Sequence, residues 1–444
     1  MGAVLTEEEW RSLIERIAKD LSSPALKDEP LQHYLELALA RLWLAMQSPP
    51  PAVRYAFADL KELTFADAHA RAADLALEAR PEWKPDFGPN LSDLVKSVAI
   101  EIRALDKALI ECRELGRSDD PNLDYLAFGE RGVFILPRIS GSRPKGKRNQ
   151  EFERRGLVHH RLVPVTVEGI PVRLYSPSIR GPGMDGGSVD LVSALFDKVR
   201  PTFTTSENNA DFHVSALSNE VELVAALESQ MCELANGKAF MAVVWPELTI
   251  SPALLSTLQY KLEERALQDD VAQFGFAVAG SWHCTLEHGG MINAAPVLDS
   301  FGVPLFKVIK RERYQLKDTE TLEAIQPGAE LPILMYGSVL IAFGICKDFC
   351  ERRHPTPYPN LDVDLILVPS FGDAQTMDDH EIAAGNTAMR YAGRCFVVQQ
   401  FLPNDDQSVW GTVLRPPMVP RGKAVSPVLQ NKLLDRSPIS CTIS

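Results

Sequence analysis

The feature that most narrows the fold lies in the C-terminal half of the chain. Between residues 211 and 420, short apolar runs alternate with stretches of helical periodicity. The runs are Phe212–Leu217, Phe240–Trp245, Phe276–Ala279, Ala295–Leu298, Leu305–Ile309, Val339–Ile345, Leu365–Val368 and Cys395–Gln399. The helical stretches are Val221–Ala235, Pro252–Gln268 and Asp378–Tyr391. Short runs rich in Val, Ile and Phe read as buried strands, and a 3.6-residue period reads as helix. Their alternation predicts an α/β sheet covered by helices. Ala295–Leu298 and Leu305–Ile309 have no helix between them, so a mixed rather than purely parallel sheet is expected.

The N-terminal region follows a different pattern. Thr6 with Glu9 three residues on forms a capping box, and Trp10, Leu13, Ile14 and Ile17 recur at helical spacing. Further helices are expected over Leu31–Met46, Phe65–Glu78 and Leu91–Leu115. Residues 1–120 therefore read as a helical bundle, in which His33 and His69 stand isolated. Residues 121–205 read as a connector. It has a short strand at Val133–Leu136 and a hairpin over Val163–Leu174 that turns at Glu168-Gly169. Pro171 marks the second hairpin strand as an edge. The connector also carries a basic island of Arg138, Arg143, Lys145, Lys147, Arg148, Arg154 and Arg155, read as a solvated loop. A domain boundary is expected near 205, an α/β domain over 206–425, and a tail over 426–444.

Charge and composition exclude several classes. With 46 basic and 59 acidic residues the net charge is −13, so no nucleic-acid partner is expected. The longest apolar runs, such as Val339–Cys346, fall far short of the roughly 20 residues a bilayer requires. The acidic start at Glu7-Glu8-Glu9 does not read as a secretory signal. Seven cysteines without disulfide or zinc spacing suit free thiols in a reducing cytoplasm. Cys441-Thr-Ile-Ser444 reads as a chance match to a prenylation box. No metal constellation and no phosphate-binding glycine loop is recognised, so no cofactor is expected.

Three predicted strand ends carry reactive side chains. Cys346 follows the buried run Ile341-Ala-Phe-Gly-Ile, at a turn where backbone N–H groups can face an oxyanion. Glu247 follows Phe240–Pro246, at the sheet edge where α/β proteins bind ligands. Lys310 ends Phe301–Ile309. Lys307 competes for the lysine role, but its odd offset from Lys310 puts the two on opposite strand faces. Cys350 lies near Cys346 and is read as structural.

In order, Trp245-Pro-Glu-Leu, Gly280-Ser281, Asn293–Gly302, Gln326-Pro-Gly328, Gly344-Ile-Cys346-Lys-Asp348, Asp362–Ser370 and Arg390–Val398 resemble segments of the nitrilase superfamily of carbon–nitrogen hydrolases. The resemblance covers about 211–420. It implies an α-β-β-α sandwich, completed as a four-layer arrangement when dimers or larger homo-oligomers form. It implies Glu247 as general base, Lys310 as the stabilising cation and Cys346 as nucleophile, with the backbone N–H of Lys347 as oxyanion donor. It also implies a second glutamate between the lysine and the cysteine, for which Glu320 is preferred over Glu323. The implied activity is cysteine-dependent hydrolysis of a small-molecule amide, with nitrile hydrolysis and acyl transfer using the same residues. Three places depart from the pattern: Lys347 replaces an aromatic residue, Gly393-Arg394 replaces a Glu-Asn pair, and Cys350–Pro359 is unlike the usual loop. They sustain a second reading, a scaffold or ligand sensor whose helical domain binds a protein partner.

Overall fold

The computed structural model describes residues 5–47, 49–60, 62–76, 82–115, 132–138, 157–177, 181–183, 187–206, 210–268, 273–316, 320–337, 339–391, 393–402, 409–417 and 426–440. The basic stretch from Arg143 to Arg155 and the terminal Cys441–Ser444 lie outside these residues. Described residues up to Val165 form one unit, and those from Thr166 onward form a second.

The first unit is helical. Thr6 caps α1 (Glu7–Leu21) reciprocally: its hydroxyl accepts from Glu9 N, and the Glu9 carboxylate accepts from Thr6 N at 2.7 Å. The helix buries Trp10, Ile14, Ile17 and Leu21, one stripe at 3.6-residue spacing. Then follow α2 (Pro24–Lys27), α3 (Leu31–Ala45), α4 (Pro51–Ala58), α5 (Asp67–Ala76) and α6 (Leu91–Leu115). All but α2 are long enough to present an apolar face, and α3 and α6 contribute the largest shares of the core. Trp10 Nε1 donates to Ala45 O at 3.1 Å and ties α1 to the end of α3. An antiparallel pair, β1 (Val133–Pro137) and β2 (His160–Pro164), completes this unit. Asp106 on α6 anchors β2 by accepting from the N–H groups of Val158, His159 and His160 at 2.6–3.0 Å.

The second unit begins with a hairpin of β3 (Thr166–Val167) and β4 (Ile170–Tyr175). Glu168 and Gly169 turn it with φ of 49° and 78°, the two positive values a tight two-residue hairpin turn demands. Then come β5 (Ser188–Ala194), β6 (Pro201–Thr205), β7 (Asp211–Leu217), α7 (Glu220–Ala235), β8 (Phe240–Trp245), α8 (Pro252–Ala266), β9 (Phe274–Ala279), β10 (Trp282–Thr285), β11 (Met291–Asp299) and β12 (Pro304–Ile309). The rest are β13 (Leu322–Glu323), β14 (Leu331–Tyr336), β15 (Val339–Phe343), α9 (Lys347–Cys350), β16 (Leu365–Phe371), α10 (Ala374–Tyr391), β17 (Arg394–Gln400), β18 (Gly411–Leu414), β19 (Val428–Gln430) and β20 (Leu434–Ser440).

These strands build two mixed sheets and a small third one. The first runs β10-β11-β9-β8-β5-β20, with β12 also on β11; the second runs β19-β18-β17-β16-β15-β14-β4-β3. Leu191, Met241, Phe276 and Val297 of the first sheet share one core with Ile341, Leu365, Phe396 and Val413 of the second. On its other face the first sheet packs against Leu223, Leu227 and Leu234 of α7 and Leu254, Leu258 and Leu262 of α8. Helix α10 packs on β17 and β18 of the second sheet. The strands sandwiched this way, such as β8, β9, β14 and β15, are buried at every residue, which is why they read as unbroken apolar runs. The third sheet, β13-β7-β6, is short.

Several expectations are corrected. The α-β-β-α layers are complete within one chain, because both sheets and their helices come from residues after 165. The division falls at 165/166, not near 205, because β4 and β5 are strands of the two main sheets. Residues 426–440 are not a tail: β19 pairs with β18, and β20 pairs with β5 over seven residues. Strand β4 is not the edge. Pro171 sits ahead of its pairing with β14, which starts at Val172, and faces only the two-residue β3.

Candidate active site

The ends of β8, β12, β15 and β16 converge, and the expected residues meet there. Glu247 is two residues past β8, Lys310 follows β12, and Cys346 lies three residues past β15. All three are at most 2% exposed. Lys307, on the same strand as Lys310, points outward, as the odd offset requires.

Lys310 Nζ donates to Glu247 Oε1 at 2.7 Å and to Glu323 Oε2 at 2.6 Å. Asn293 Nδ2 bridges the same two carboxylates, at 2.9 Å from Glu247 Oε1 and 2.9 Å from Glu323 Oε1. This leaves Glu247 Oε2 to accept from the Phe371 N–H at 3.2 Å, and the carboxylate lies near enough to the Cys346 thiol for each to shift the other's pKa. Glu247 is thus held through one oxygen by Lys310 and Asn293 and through the other by the Phe371 N–H.

The second glutamate is Glu323, not Glu320. Glu320 is exposed, whereas Glu323 is 1% exposed in β13. The parallel pairing of β13 with β7 carries Glu323 inward, and Tyr314 N and His283 Nε2 bond its carboxylate at 3.1 and 2.9 Å. His283 was missed in the sequence. Its Nδ1 accepts from Val214 N at 2.8 Å, so the proton sits on Nε2 and points at Glu323. The available signal was its place two residues after Gly280-Ser281, at the strand next to Asn293.

The turn at Cys346 is strained. Cys346 has φ 45° and ψ −105°, a conformation that L-residues rarely adopt and that costs on the order of 1–3 kcal/mol. Gly344 makes the approach possible, since a Cβ there would lie 2.4 Å from the Tyr358 hydroxyl. Asp348, one turn on, ties the turn to the lysine. One carboxylate oxygen accepts from Arg311 N and Glu312 N at 2.8 and 2.7 Å, and the other from Ile345 N at 3.1 Å. Ser370, which acts to lower the Cys346 thiol pKa against the larger effect of burial, contacts His380 Nε2 at 3.0 Å and Gln399 Oε1 at 3.2 Å.

The electrostatics split the two acids. Burial pushes the Glu247 carboxyl up, and the neighbouring Glu323 charge adds to this against the pull of Lys310. Burial also acts on Glu323, but Lys310 and His283 outweigh it and hold that carboxyl down to about 2. Burial opposes the Lys310 charge, yet Glu247 and Glu323 keep it firmly protonated. The Cys346 thiol is pushed well up by burial and by Glu247, so at rest its proton stays on sulfur. Cys350 is buried, its thiol pushed up to about 12 by burial, and it donates to Cys346 O, the role of a structural thiol.

A cavity of about 380 Å³ opens onto Glu247, Lys310 and Glu323. Cys346 is not itself part of its wall; its thiol donates to the carbonyl of Phe371, which is, at 3.7 Å. Lys347 stands apart from the cavity wall and pairs with Glu351 at 3.7 Å. The expectation of no metal-type cluster needs one correction. Glu312, Glu351 and His354 bring ligand atoms within 4.8 Å of one another, though Glu351 is already engaged by the Arg353 backbone and guanidinium. Among the described residues no helix is long and apolar enough to cross a membrane.

No family model and no curated protein matches the chain. Solved structures do resemble it. Nit3 of Saccharomyces cerevisiae, described as a member of branch 10 of the nitrilase superfamily, is 14% identical, with 57% of this chain and 90% of that one covered at a TM-score of 0.39. XC1258 of Xanthomonas campestris, described as a CN-hydrolase superfamily protein, is also 14% identical, covering 57% and 91% at 0.38. NitN amidase of Neterenkonia sp. AN1 is 15% identical, covering 56% and 92% at 0.37.

Proposed function

We propose that the chain is a cysteine-dependent hydrolase of non-peptide carbon–nitrogen bonds, of the amidase type and of the nitrilase superfamily. The observation that supports this best is the setting of Glu247: one oxygen is held by Lys310 and Asn293, and the carboxylate acts electrostatically on the neighbouring Cys346 thiol. A general base works best when its pKa approaches the working pH, and burial moves Glu247 in that direction.

In the proposed mechanism Glu247 takes the thiol proton as sulfur attacks the amide carbon. The developing oxyanion is met by the Lys310 ammonium and the Lys347 backbone N–H. Glu247 returns its proton to the departing nitrogen, the C–N bond breaks, and a thioester remains on Cys346. Glu247 then deprotonates a water that attacks the thioester. The tetrahedral intermediate collapses, the sulfur regains the proton from Glu247, and a carboxylic acid leaves. Glu323 stays ionised throughout and holds Lys310 and the His283 N–H in place. An amide reaches the thiol past the wall residues Glu247 and Phe371.

The test is turnover of small amides combined with intact-mass detection of the acyl-enzyme. Wild type is expected to release ammonia and to show a mass increase on the Cys346 peptide, and Cys346→Ala to do neither. Turnover unchanged in Cys346→Ala would sink the proposal, and turnover absent in wild type would return the weight to the scaffold or sensor reading. We also propose a homodimer, which a strict monomer in light scattering would refute.

A further inference from the structure

The cavity constrains what the site accepts. Its wall beyond the reactive groups is apolar: Phe203 of β6, Phe212 of β7, Leu248, Leu316, Phe401 and Leu402. Phe203 and Phe212 meet edge-on, with centroids 5.9 Å apart, so the small β13-β7-β6 sheet supplies an aromatic side to the cavity. The polar wall groups outside the reactive set are Tyr314 and the exposed Asp373, whose carboxylate accepts from Thr376 N and Oγ1 at 2.9 and 3.1 Å.

Charge decides the rest. Among the described residues, Lys310 is the cation on the wall, and both its close acceptors are carboxylates already inside the site. Lys347, which the sequence offered as a handle for an acidic substrate, is not on the wall and is paired with Glu351. A substrate carboxylate entering here would lose water, gain no cation, and face Glu247, Glu323 and Asp373. An unpaired charge in such a place is strongly disfavoured. An alkyl or aryl group would instead leave water for an apolar wall, which is favourable in proportion to its area.

We infer that the site takes amides of neutral, apolar carboxylic acids, with the alkyl or aryl group lodged between Leu248, Leu316 and the Phe203–Phe212 side, and rejects amides bearing a second carboxylate. This rests on the hydrolase reading for the identity of the reacting group, but its test does not need turnover. Full-length Cys346→Ala is titrated calorimetrically with propanamide, butanamide, pentanamide, hexanamide and benzamide, and with glutaramic acid, which is pentanamide with a terminal carboxylate. Affinity should rise about fourfold per methylene, the equivalent of about 0.8 kcal/mol. Glutaramic acid should bind at least 50-fold more weakly than pentanamide. Leu402→Arg in the same background adds a cation at a half-exposed mouth position and should recover at least fivefold for glutaramic acid alone. A flat series, or glutaramic acid binding as well as pentanamide, overturns the inference. Wild-type turnover is scored separately. An intact apolar series with no hydrolysis removes the hydrolase reading and keeps this one. Hydrolysis with a preference for the carboxylated amide does the reverse.

Discussion

Both units of the chain bury carboxylates, and they do so in opposite ways. In the helical unit each buried acid has its own base. Glu36 pairs with Arg113 at 2.8 Å, Glu101 takes two parallel bonds from Arg71 at 2.8 Å, and Asp106 holds His160 Nδ1 at 3.0 Å. In the α/β unit two acids, Glu247 and Glu323, share one lysine. The two arginine pairs close their charge balance and serve packing, while burial pushes the His160 pKa down, so that histidine serves Asp106 as a hydrogen-bond partner. Two acids on one cation cannot be satisfied equally, so one is driven down and the other up. The difference separates a structural ion pair from a site with a movable proton, and no residue type alone would reveal it.

The sharpest way to break this contrast is Glu247→Gln. The amide keeps the shape and can still accept from Lys310, but it cannot take a proton. We expect kcat to fall by about 10²–10⁴-fold with the melting temperature little changed. Retained turnover would put Glu247 on the same footing as the pairs in the helical unit. Lys310→Met should lose both activity and stability, since it leaves two facing carboxylates uncompensated.

Arg113→Met sharpens the other side. Glu36 is 2% exposed and burial already pushes its carboxyl up, so removing its partner strands a charge. Breaking one member of a buried pair costs about 3–5 kcal/mol. Denaturant titration should show that loss, with the alkylation rate of Cys346 unaffected. A change below about 1 kcal/mol would mean the pair is not what holds α3 to α6.

How much of this was legible in the sequence follows the same line. The strand ends bearing Glu247, Lys310 and Cys346 were readable because largely apolar runs mark the strands and each of these residues falls within three positions of a strand end. The capping box at Thr6 and the Glu168-Gly169 turn were readable because they are local. What was not readable depends on register between distant segments. Glu323 reaches the site only because a two-residue strand pairs with β7, more than a hundred residues earlier. His283 is fixed by the Val214 N–H on that same β7. Strands β5 and β20 escaped because β20 carries Asp435, Arg436 and Pro438 among its apolar residues, a pattern that reads as tail until β5 is seen beside it.

A smaller effect concerns His380, which is fully buried beside Ser370. Burial, and then the Lys347 charge, depress its pKa to about 3 from an ordinary 6.5. The unfolded chain therefore binds this proton at a higher pH than the folded one. The stability that His380 contributes by staying neutral is fully present above pH 6.5 and is lost as pH falls toward 3. A single such group gives a slope of at most about 1.4 kcal/mol per pH unit in that window. His380→Gln should flatten the acid limb of the stability profile between those values. Glu323 adds its own loss below pH 4.5 in both proteins, so their difference isolates His380. Parallel profiles would show that the ring protonates without unfolding.

The smallest expected effect is the most pointed comparison. Glu320 and Glu323 are three residues apart and both lay within the range the sequence allowed. Glu320 is exposed and Glu323 is buried against Lys310, His283, Asn293 and the Tyr314 N–H. Exposed charges away from such networks change stability by less than about 0.5 kcal/mol. Glu320→Gln should therefore leave kcat, KM and melting temperature within twofold or a degree or so of wild type. Glu323→Gln should not. It removes one of the two charges that keep Lys310 protonated, and the charge that raises the Glu247 carboxyl, and should shift the pH–rate profile as well as its height. If the two variants behaved alike, the split between the acids would not depend on Glu323, and the contrast with the one-to-one pairs of the helical unit would have to rest on Glu247 and Lys310 alone.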